Sequence, residues 1–590
     1  MVKDKLSVFP HFSGKRQQYI FLFYMKKVIG FFKCGKLPQP IPIVWAMIFL
    51  LTACNSGNEN TLNTTADPAS LPDPGDDYYL DITHYAGINF RHSIGDHHLS
   101  NLVESVGGGA AFIDFDQDGF LDLYVVNGAH VKGLSEEGEE LDYTPINQLF
   151  RNQGNGTFSD VTKKSRTGDA GYGMGVTVAD YDNDGFPDIY VSNYGPNILY
   201  HNNGNETFTD VSVEAGVSGN ECSVGAVWLD FDNDGYLDLY VGNYINFNPD
   251  YNYYYAPDGF PGPMAYDGQP DRLYRNLADG TFKDVTEPMG LYNPEGRAMG
   301  VGSADFNEDG WMDIYVANDH MVNFLYENVE GKMFRDVGVP SGTAFNQVGE
   351  ATISMAVDFA DFNGDGTLDL FVSDDGYCSL FANQGDGVFS EMSYHAGIAS
   401  ASGQHVGWST AFIDYDNDGD KDIFKVNGEL KHLYGQEDQL FENDGKGSFT
   451  DVSVERGQHF QEERVSRGAC FGDYDNDGDT DVYIVNLNDE GILLRNDHGN
   501  RNNWLIVQLI GKKSNRDAIG ARVKLTAGGI TQATQKKGGS GYLSQNDPRL
   551  HFGLGTAEMA DKMIIYWPSG REQVLEHIKA GQIFTITEPD

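Results

Sequence analysis

Seven short stretches of the chain place oxygen-bearing side chains at a spacing that suits a hard metal ion. Each has an acid or Asn at positions 1, 3, 5 and 9, and Gly at position 6. The candidate ligands are Asp114, Asp116, Asp118 and Asp122 in the first loop, and Asp180, Asp182, Asp184 and Asp188 in the second. The third has Asp230, Asp232, Asp234 and Asp238, and the fourth Asp305, Asn307, Asp309 and Asp313. The fifth has Asp361, Asn363, Asp365 and Asp369, and the sixth Asp414, Asp416, Asp418 and Asp422. The seventh has Asp473, Asp475, Asp477 and Asp481. Calcium takes about six to eight oxygen ligands, and a tight turn can point alternate side chains inward while position 7 adds a backbone carbonyl. Gly at position 6 allows the positive φ of the turn. Asn307 and Asn363 each remove one charge, so loops four and five are expected to hold the ion more weakly. Loops six and seven add Asp420 and Asp479 at position 7.

The flanks say what must carry these loops. An EF-hand needs Glu at position 12 and flanking helices. Position 12 is Val125, Val191 and Val241 in the first three copies. Leu121, Leu123 and Val125 alternate with Asp122 and Tyr124, a strand period. Each loop is therefore expected to join two β-strands. Five residues before each loop stands a small residue: Gly109, Gly175, Gly225, Gly300, Ala356, Ser409 and Gly468. Such residues suit crowded innermost strands. After each loop comes a Leu, then Phe, Tyr or Leu, any residue, and Asn. An aromatic strand follows, opened by Phe158, Phe208, Phe282, Phe334, Phe389 and Phe449. The seventh copy is missing after Leu494-Arg495-Asn496 and stands instead at the beginning, as Tyr79-Leu80-Asp81-Ile82-Thr83. That permutation lets the N-terminal strand complete the last sheet and leaves no open edge. The pattern predicts an all-β fold with a seven-bladed β-propeller over residues 78–500.

Composition narrows the function. Lys and Arg total 40 against 87 Asp and Glu, a net charge of −47, which argues against nucleic acid and against electrostatic docking on anionic lipid. Aromatics at 13% are too many for a disordered acidic chain. Met25-Lys26-Lys27, the apolar run Ile41 to Leu51, and Leu51-Thr52-Ala53-Cys54 resemble a bacterial lipoprotein signal, with Cys54 the lipidated residue. Residues 1–54 are then the signal segment, with Met25 an alternative start, and residues 55–77 a polar tether. Cys222, Cys378 and Cys470 are expected to be buried free thiols.

Val106-Gly-Gly-Gly-Ala-Ala-Phe-Ile-Asp114 and its six counterparts resemble FG-GAP/VCBS repeats, the kind found in integrin α-subunit propellers. The resemblance implies calcium, up to seven structural ions, at the matching loop positions. Asn503-Trp504-Leu505-Ile506-Val507, Asn515 to Val523, Ser540-Gly541-Tyr542-Leu543-Ser544-Gln545, His551 to Gly555 and Trp567-Pro568-Ser569-Gly570 resemble the ASPIC/UnbV domain of cartilage acidic protein-like chains. A small C-terminal β domain over residues 501–590 is implied.

No catalytic motif stands out. The His97-His98 pair is expected in a solvated loop, as is the acidic insertion Gly128 to Gln148 with Glu136, Glu137, Glu139, Glu140 and Asp142. An aromatic insertion runs through Tyr244, Phe247, Tyr251, Tyr253, Tyr254, Tyr255, Phe260 and Tyr266. It is either a self-packed loop or a set of rings, Tyr253, Tyr254 and Tyr255 foremost, that stack on a sugar. The expected function is non-enzymatic: a monomeric, exported, lipid-anchored protein, with the outer membrane as its site, binding a glycan or protein ligand. The alternative is a hydrolase or lyase acting on extracellular polysaccharide.

Overall fold

The computed structural model describes residues 75, 77–136, 138, 141–249 and 259–590. The signal segment, Cys54, Glu137, Glu139, Glu140, Tyr251, Tyr253, Tyr254 and Tyr255 lie outside the described residues.

Strand follows strand through the chain, and the period-2 flanks of the Asp loops pair as antiparallel hairpins. The first sheet takes Ala110–Ile113, Asp122–Val125, Gln148–Asn152 and Phe158–Asp160 in that order. The Asp114 loop joins its first two strands, as the sequence pattern requires. Among the described residues there are seven such four-strand units, and pairing of Asp319 with Ile353 joins the fourth to the fifth. Their first strands adjoin one another in succession, and the seventh returns to the first. The result is a propeller-like ring.

The permuted strand behaves as its sequence predicts. Tyr79–Asp81 pairs with Ile492–Asn496, with Tyr79 opposite Asn496. Phe158 stands opposite Asn152 in the first sheet, the same register. The last sheet is thus completed by the N-terminal strand, and its edge is covered.

Two repeated contacts lock neighbouring sheets. The aromatic at loop position 2 packs on the residue opening the next sheet's outer strand: Phe115 on Phe208, Tyr181 on Phe282, Tyr474 on Phe158. The Asn that closes each third strand donates to the carbonyl of position 2 in the preceding loop. Asn202 reaches Phe115 O, Asn276 reaches Tyr181 O, and Asn496 reaches Tyr415 O. Asn152 reaches Tyr474 O and closes the circle.

A second unit follows, with its own apolar core of Leu505, Val523, Phe552, Met563 and Trp567. One sheet of it has Leu550–Gly555, Asn503–Ile510 and Gln582–Thr587. The other has Ile530–Gln535, Arg522–Ala527, Met559–Tyr566 and Glu572–Lys579. Between these strands the segment 536–549 leaves the unit and enters the centre of the ring. Trp228 N donates to Gly538 O, Gly541 pairs with Val357, Val176 N donates to Leu543 O, and Phe112 N donates to Gln545 O. Tyr542 is fully buried against Trp408, with its hydroxyl on Val106 O. Two kinds of crowding explain the inner-strand glycines: a Cβ at Gly109 would overlap the Leu543 carbonyl of this segment, whereas at Gly175, Gly300 and Gly468 it would first meet the neighbouring inner strand, at Val224 O, Met355 O and Gly108 O.

Cys222, Cys378 and Cys470 are free and buried. His97 and His98 are exposed. The acidic insertion differs from expectation, since Leu134 and Asn147 at its two ends are buried; Leu134 joins the central apolar cluster and Asn147 Oδ1 accepts from Asn127 N. No helix among the described residues is long and apolar enough to cross a membrane.

Candidate metal centres

Each Asp loop is built around its own carboxylates. At position 1, Asp114 accepts from the backbone N–H of Asp118 and Gly119, both at 3.1 Å. Position 6 N–H donates to the position-1 carboxylate in all seven loops. The position-6 glycines all have positive φ, from 89° at Gly235 to 104° at Gly419. At position 9, Asp122 accepts from Phe115 N and from Asn152 N. The Asn that staples its sheet to the preceding one therefore also holds the last candidate ligand of its own loop.

Three of the four candidate side chains in a loop converge. Asp114, Asp116 and Asp122 each bring an oxygen within 4.8 Å of the others, and so do Asp180, Asp182 and Asp188. The same holds for Asp230, Asp232 and Asp234, and for Asp414, Asp416 and Asp422. Burial leaves several of these oxygens without a donor. One oxygen each of Asp116, Asp232, Asp414 and Asp475 accepts no hydrogen bond, while the second oxygen of Asp116 has Arg151 Nε beside it at 2.6 Å. Buried acceptors without donors are costly, and a hard cation is the partner that fits a set of carboxylates. At position 3 of loops four and five, Asn307 and Asn363 accept from Asp309 N and Asp365 N, as Asp182 and Asp416 do from Asp184 N and Asp418 N.

Electrostatics agree. Burial lifts the position-1 carboxyls above the usual carboxylate range: to about 6 for Asp114, Asp305 and Asp361, and about 7 for Asp230, Asp414 and Asp473. Asp180 is pushed to about 8 by burial and by the neighbouring Asp517. At position 7, burial and Asp418 raise Asp420 to about 8. Asp420 and Asp479 each keep a buried oxygen without a donor.

In the first three repeats the residue before the stapling Asn also faces the loop, a contact the repeat pattern alone did not reveal. Arg151 stands 2.6 Å from Asp116 and 3.2 Å from Asp118. Arg275 stands 2.6 Å from Asp232 and 3.3 Å from Asp234. His201 lies 3.3 Å from both Asp182 and Asp188. The equivalent residues in the fourth to sixth repeats are Glu327, Ala382 and Glu442. Basic type at this position was the available signal.

Position 4 links loop to loop. Asn183 Nδ2 donates to Gly235 O, Asn233 to Gly310 O, Asn417 to Gly478 O and Asn476 to Gly119 O, and Gln117 donates to Gly185 O. Glu308 and Gly364 hold this place in loops four and five. There the C-terminal unit takes over: Arg522 lies 3.1 Å from Glu308.

The C-terminal unit sits on the loop-bearing face at many points. Asp180 N donates to Asp517, Asp305 N to Gln535, and Gly553 N to the candidate ligand Asp414. Arg549 binds Asp547, Asp473 O and Asn476. A Cβ at Gly478 would overlap the Trp504 ring. The described aromatics of the Tyr-rich insertion do not form an open platform: Tyr244, Phe260 and Tyr266 are buried in the central cluster.

Comparison with known proteins matches this architecture. The FG-GAP-like repeat profile matches residues 114–191, 180–241, 264–316, 305–372, 361–424 and 433–484. The ASPIC and UnbV profile matches residues 511–590. Cartilage acidic protein 1 of Homo sapiens is 27% identical over 326 residues, 54% of this chain and 40% of the human protein. The Mus musculus protein of that name is 27% identical over 309 residues, 51% of this chain and 38% of its own length. This chain thus spans less than half of the length of those relatives. A solved structure of an Agrocybe aegerita lectin that recognises non-reducing terminal N-acetylglucosamine aligns over 65% of this chain and 86% of its own, at 18% identity and a TM-score of 0.35. With its repeats matched over more than half of its length, the chain belongs to the FG-GAP-like repeat family and carries an ASPIC and UnbV domain at its C-terminal end.

Proposed function

We propose that this chain is a calcium-loaded, non-enzymatic binding module, held at the cell envelope by a lipid on Cys54, that captures a glycan or a protein. The FG-GAP-like repeats and the ASPIC and UnbV domain suggest a binding or adhesion module. The observation that carries the calcium reading is the set of buried carboxylate oxygens without donors at Asp116, Asp232, Asp414 and Asp475. The side chains at positions 1, 3, 5 and 9 and the carbonyl at position 7 would hold the ion. Its charge would neutralise carboxylates that otherwise repel one another across each loop. Extracellular calcium modules of this general kind bind at about 10⁻⁴–10⁻³ M. The sequence Leu51-Thr52-Ala53-Cys54 supports the anchor. Rings Tyr253, Tyr254 and Tyr255 are the first candidates for stacking on a ligand.

The test is a pair of thermal melts of the whole chain, in millimolar calcium and in chelator, followed by glycan and envelope-protein arrays in both buffers. Calcium is expected to raise the melting temperature clearly and to be required for capture. Identical melts would remove calcium from the account. Turnover of any polysaccharide by the purified protein would replace binding with catalysis. Mass spectrometry of the membrane fraction checks for acylated Cys54.

A further inference from the structure

Two cavities lie between the ring and the C-terminal unit, of about 140 and 340 Å³. The smaller is walled by Asp414 and Asp473 of loops six and seven, and the larger by Asp114 and Asp180 of loops one and two. Lys536, Pro548 and Arg549 line both. Lys536 is 5% exposed, and its ammonium has no hydrogen bond or ion pair among the described residues. The charges that act on it are Asp517, Asp547 and Arg549, and burial pushes its amine below the usual lysine range.

Most other charged groups here have partners: Lys421 Nζ donates to His551 O at 3.5 Å, and the half-exposed Arg516 stands 3.6 Å from Asp180. Arg549 forks onto Asp547 and also holds Asp473 O and Asn476. Lys537 is paired with Asp358 and with Phe359 O. Asp517 Oδ2 accepts from Asp180 N. Burial lowers His551 to about 4, so its imidazole is neutral. Lys536 is left as a largely buried amine with no carboxylate in hydrogen-bond or salt-bridge contact, Asp517 and Asp547 acting on it only from further off, in a chain that has 87 acids for 40 bases. A buried charge of this kind is strongly unfavourable unless something pairs with it. An amine that needs an anion, beside cavities large enough to admit one, is the mark of a binding site. The loop carboxylates on the same walls would repel an anion while they carry their full charge. Calcium in the loops removes that obstacle, and to this extent the site rests on the calcium reading.

We propose that the interface between the ring and the C-terminal unit binds a compact oxyanion, carboxylate or phosphate-like, through the ammonium of Lys536. Two sources share this chemistry: a free small anion, and the carboxylate of an acidic sugar. Bound there, the ligand would touch both units and tie them together.

The experiment is thermal shift and calorimetric titration of the whole chain with inorganic phosphate, acetate or glucuronate, in saturating calcium and at fixed ionic strength. Wild type is compared with Lys536→Met and Lys536→Arg. At least one probe is expected to raise the wild-type melting temperature by several degrees. That shift should vanish in K536M and persist, in weaker form, in K536R. Without the probe, K536M should melt no lower than wild type, because it removes an unpaired buried charge. A glucuronate response alone assigns an acidic sugar; a phosphate or acetate response assigns a free anion. Failure of every probe to shift wild type more than K536M overturns the proposal. Repeating the series in chelator separates the two readings. A Lys536-dependent shift that survives there keeps the anion site and removes its dependence on calcium.

Discussion

Asn152 donates its side-chain N–H to the carbonyl of Tyr474 at 2.9 Å, joining residues 322 positions apart. The same Nδ2 also reaches Leu121 O, and the backbone N–H of Asn152 holds Asp122 Oδ1 at 2.8 Å. One residue therefore closes the ring, fixes the end of an Asp loop and ties the first repeat to the last.

Replacing Asn152 with Ala leaves two buried carbonyls without a donor. Each such loss costs about 1–3 kcal/mol. We expect Asn152→Ala to lower stability by about 2–6 kcal/mol on that basis, with the fold retained. Asn383→Ala, at the equivalent staple to Phe306 O and Leu368 O, should cost a similar amount. Urea unfolding of both variants is the measurement. A loss under about 0.5 kcal/mol at both sites, within the scatter of ordinary surface changes, would show that the staples are incidental.

The N-terminal strand gives a second expectation. Truncation after Ile88 removes Tyr79–Asp81 and uncovers the strand Ile492–Asn496. It also removes the buried Tyr79, Ile82 and Ile88. Aggregation is expected, because an unpaired edge recruits other chains. Truncation after Asp76 keeps these residues and should leave the melting temperature unchanged. Light scattering and a melt distinguish the two; equal behaviour would contradict the closure.

Arg275 yields a signed prediction about the loops. Its guanidinium occupies the side of Asp232 and Asp234 that a bound cation would neutralise. Arg275→Gln should tighten calcium binding at this loop and destabilise the calcium-free protein. The arginine is partly exposed, so the effect is modest, about 0.5–1 kcal/mol or a few-fold in affinity. Calorimetry with calcium reads the first effect, and a melt in chelator the second. Weaker calcium binding in the variant would mean that Arg275 supports the site instead of competing with it.

Much of the architecture was legible because repetition multiplies weak signals. Tyr79 could be matched to Phe158 by pattern alone, and their common register confirms the match. The Asp loops announced themselves through spacing. The stapling Asn was visible as a repeated letter, but its partner is a backbone carbonyl in a different repeat, which carries no sequence mark. Arg151 and Arg275 were hidden for another reason: their position varies from Arg to His to Glu to Ala, so the repeat pattern leaves it as any residue. The central segment was the least legible. Tyr542 is an ordinary tyrosine until the ring around it exists, and nothing near it in sequence announces Trp408 or Val106 O as its partners.

That segment should make ring and C-terminal unit one cooperative body. Tyr542 fills the centre of the ring with no exposure. Tyr542→Ala is expected to cost about 3–5 kcal/mol, as for other buried aromatics. Tyr542→Phe keeps the packing and leaves Val106 O without its donor, about 1–3 kcal/mol. Wild type should unfold in one transition by both tyrosine fluorescence and far-ultraviolet circular dichroism. Two separated transitions would mean that the C-terminal unit merely rests on the ring.

Glu104 supplies a pH test away from the Asp loops. It is buried in the short helix Leu102–Val106, where Ser100 N and Ser100 Oγ donate to Oε2 and Oε1 has no donor. Burial raises its carboxyl to about 8, with Asp96 adding to the effect. The folded protein therefore keeps a proton that the unfolded chain releases near pH 4.5. The contribution of Glu104 is fully present below pH 4.5 and is lost as pH rises through about 8, by up to ~1.4 kcal/mol per pH unit between them. His92 acts in the opposite sense and at lower pH, since burial drops it to about 3 and its contribution is lost as pH falls below 6.5. Glu104→Gln, which mimics the protonated acid, should be more stable than wild type above pH 7 and equal to it near pH 4.5. Urea unfolding in saturating calcium, from pH 5 to 9, measures the difference between the two proteins and cancels groups that both share. Parallel stability curves across that range would show that Glu104 is ionised in the folded state, with a counter-charge or water that satisfies Oε1.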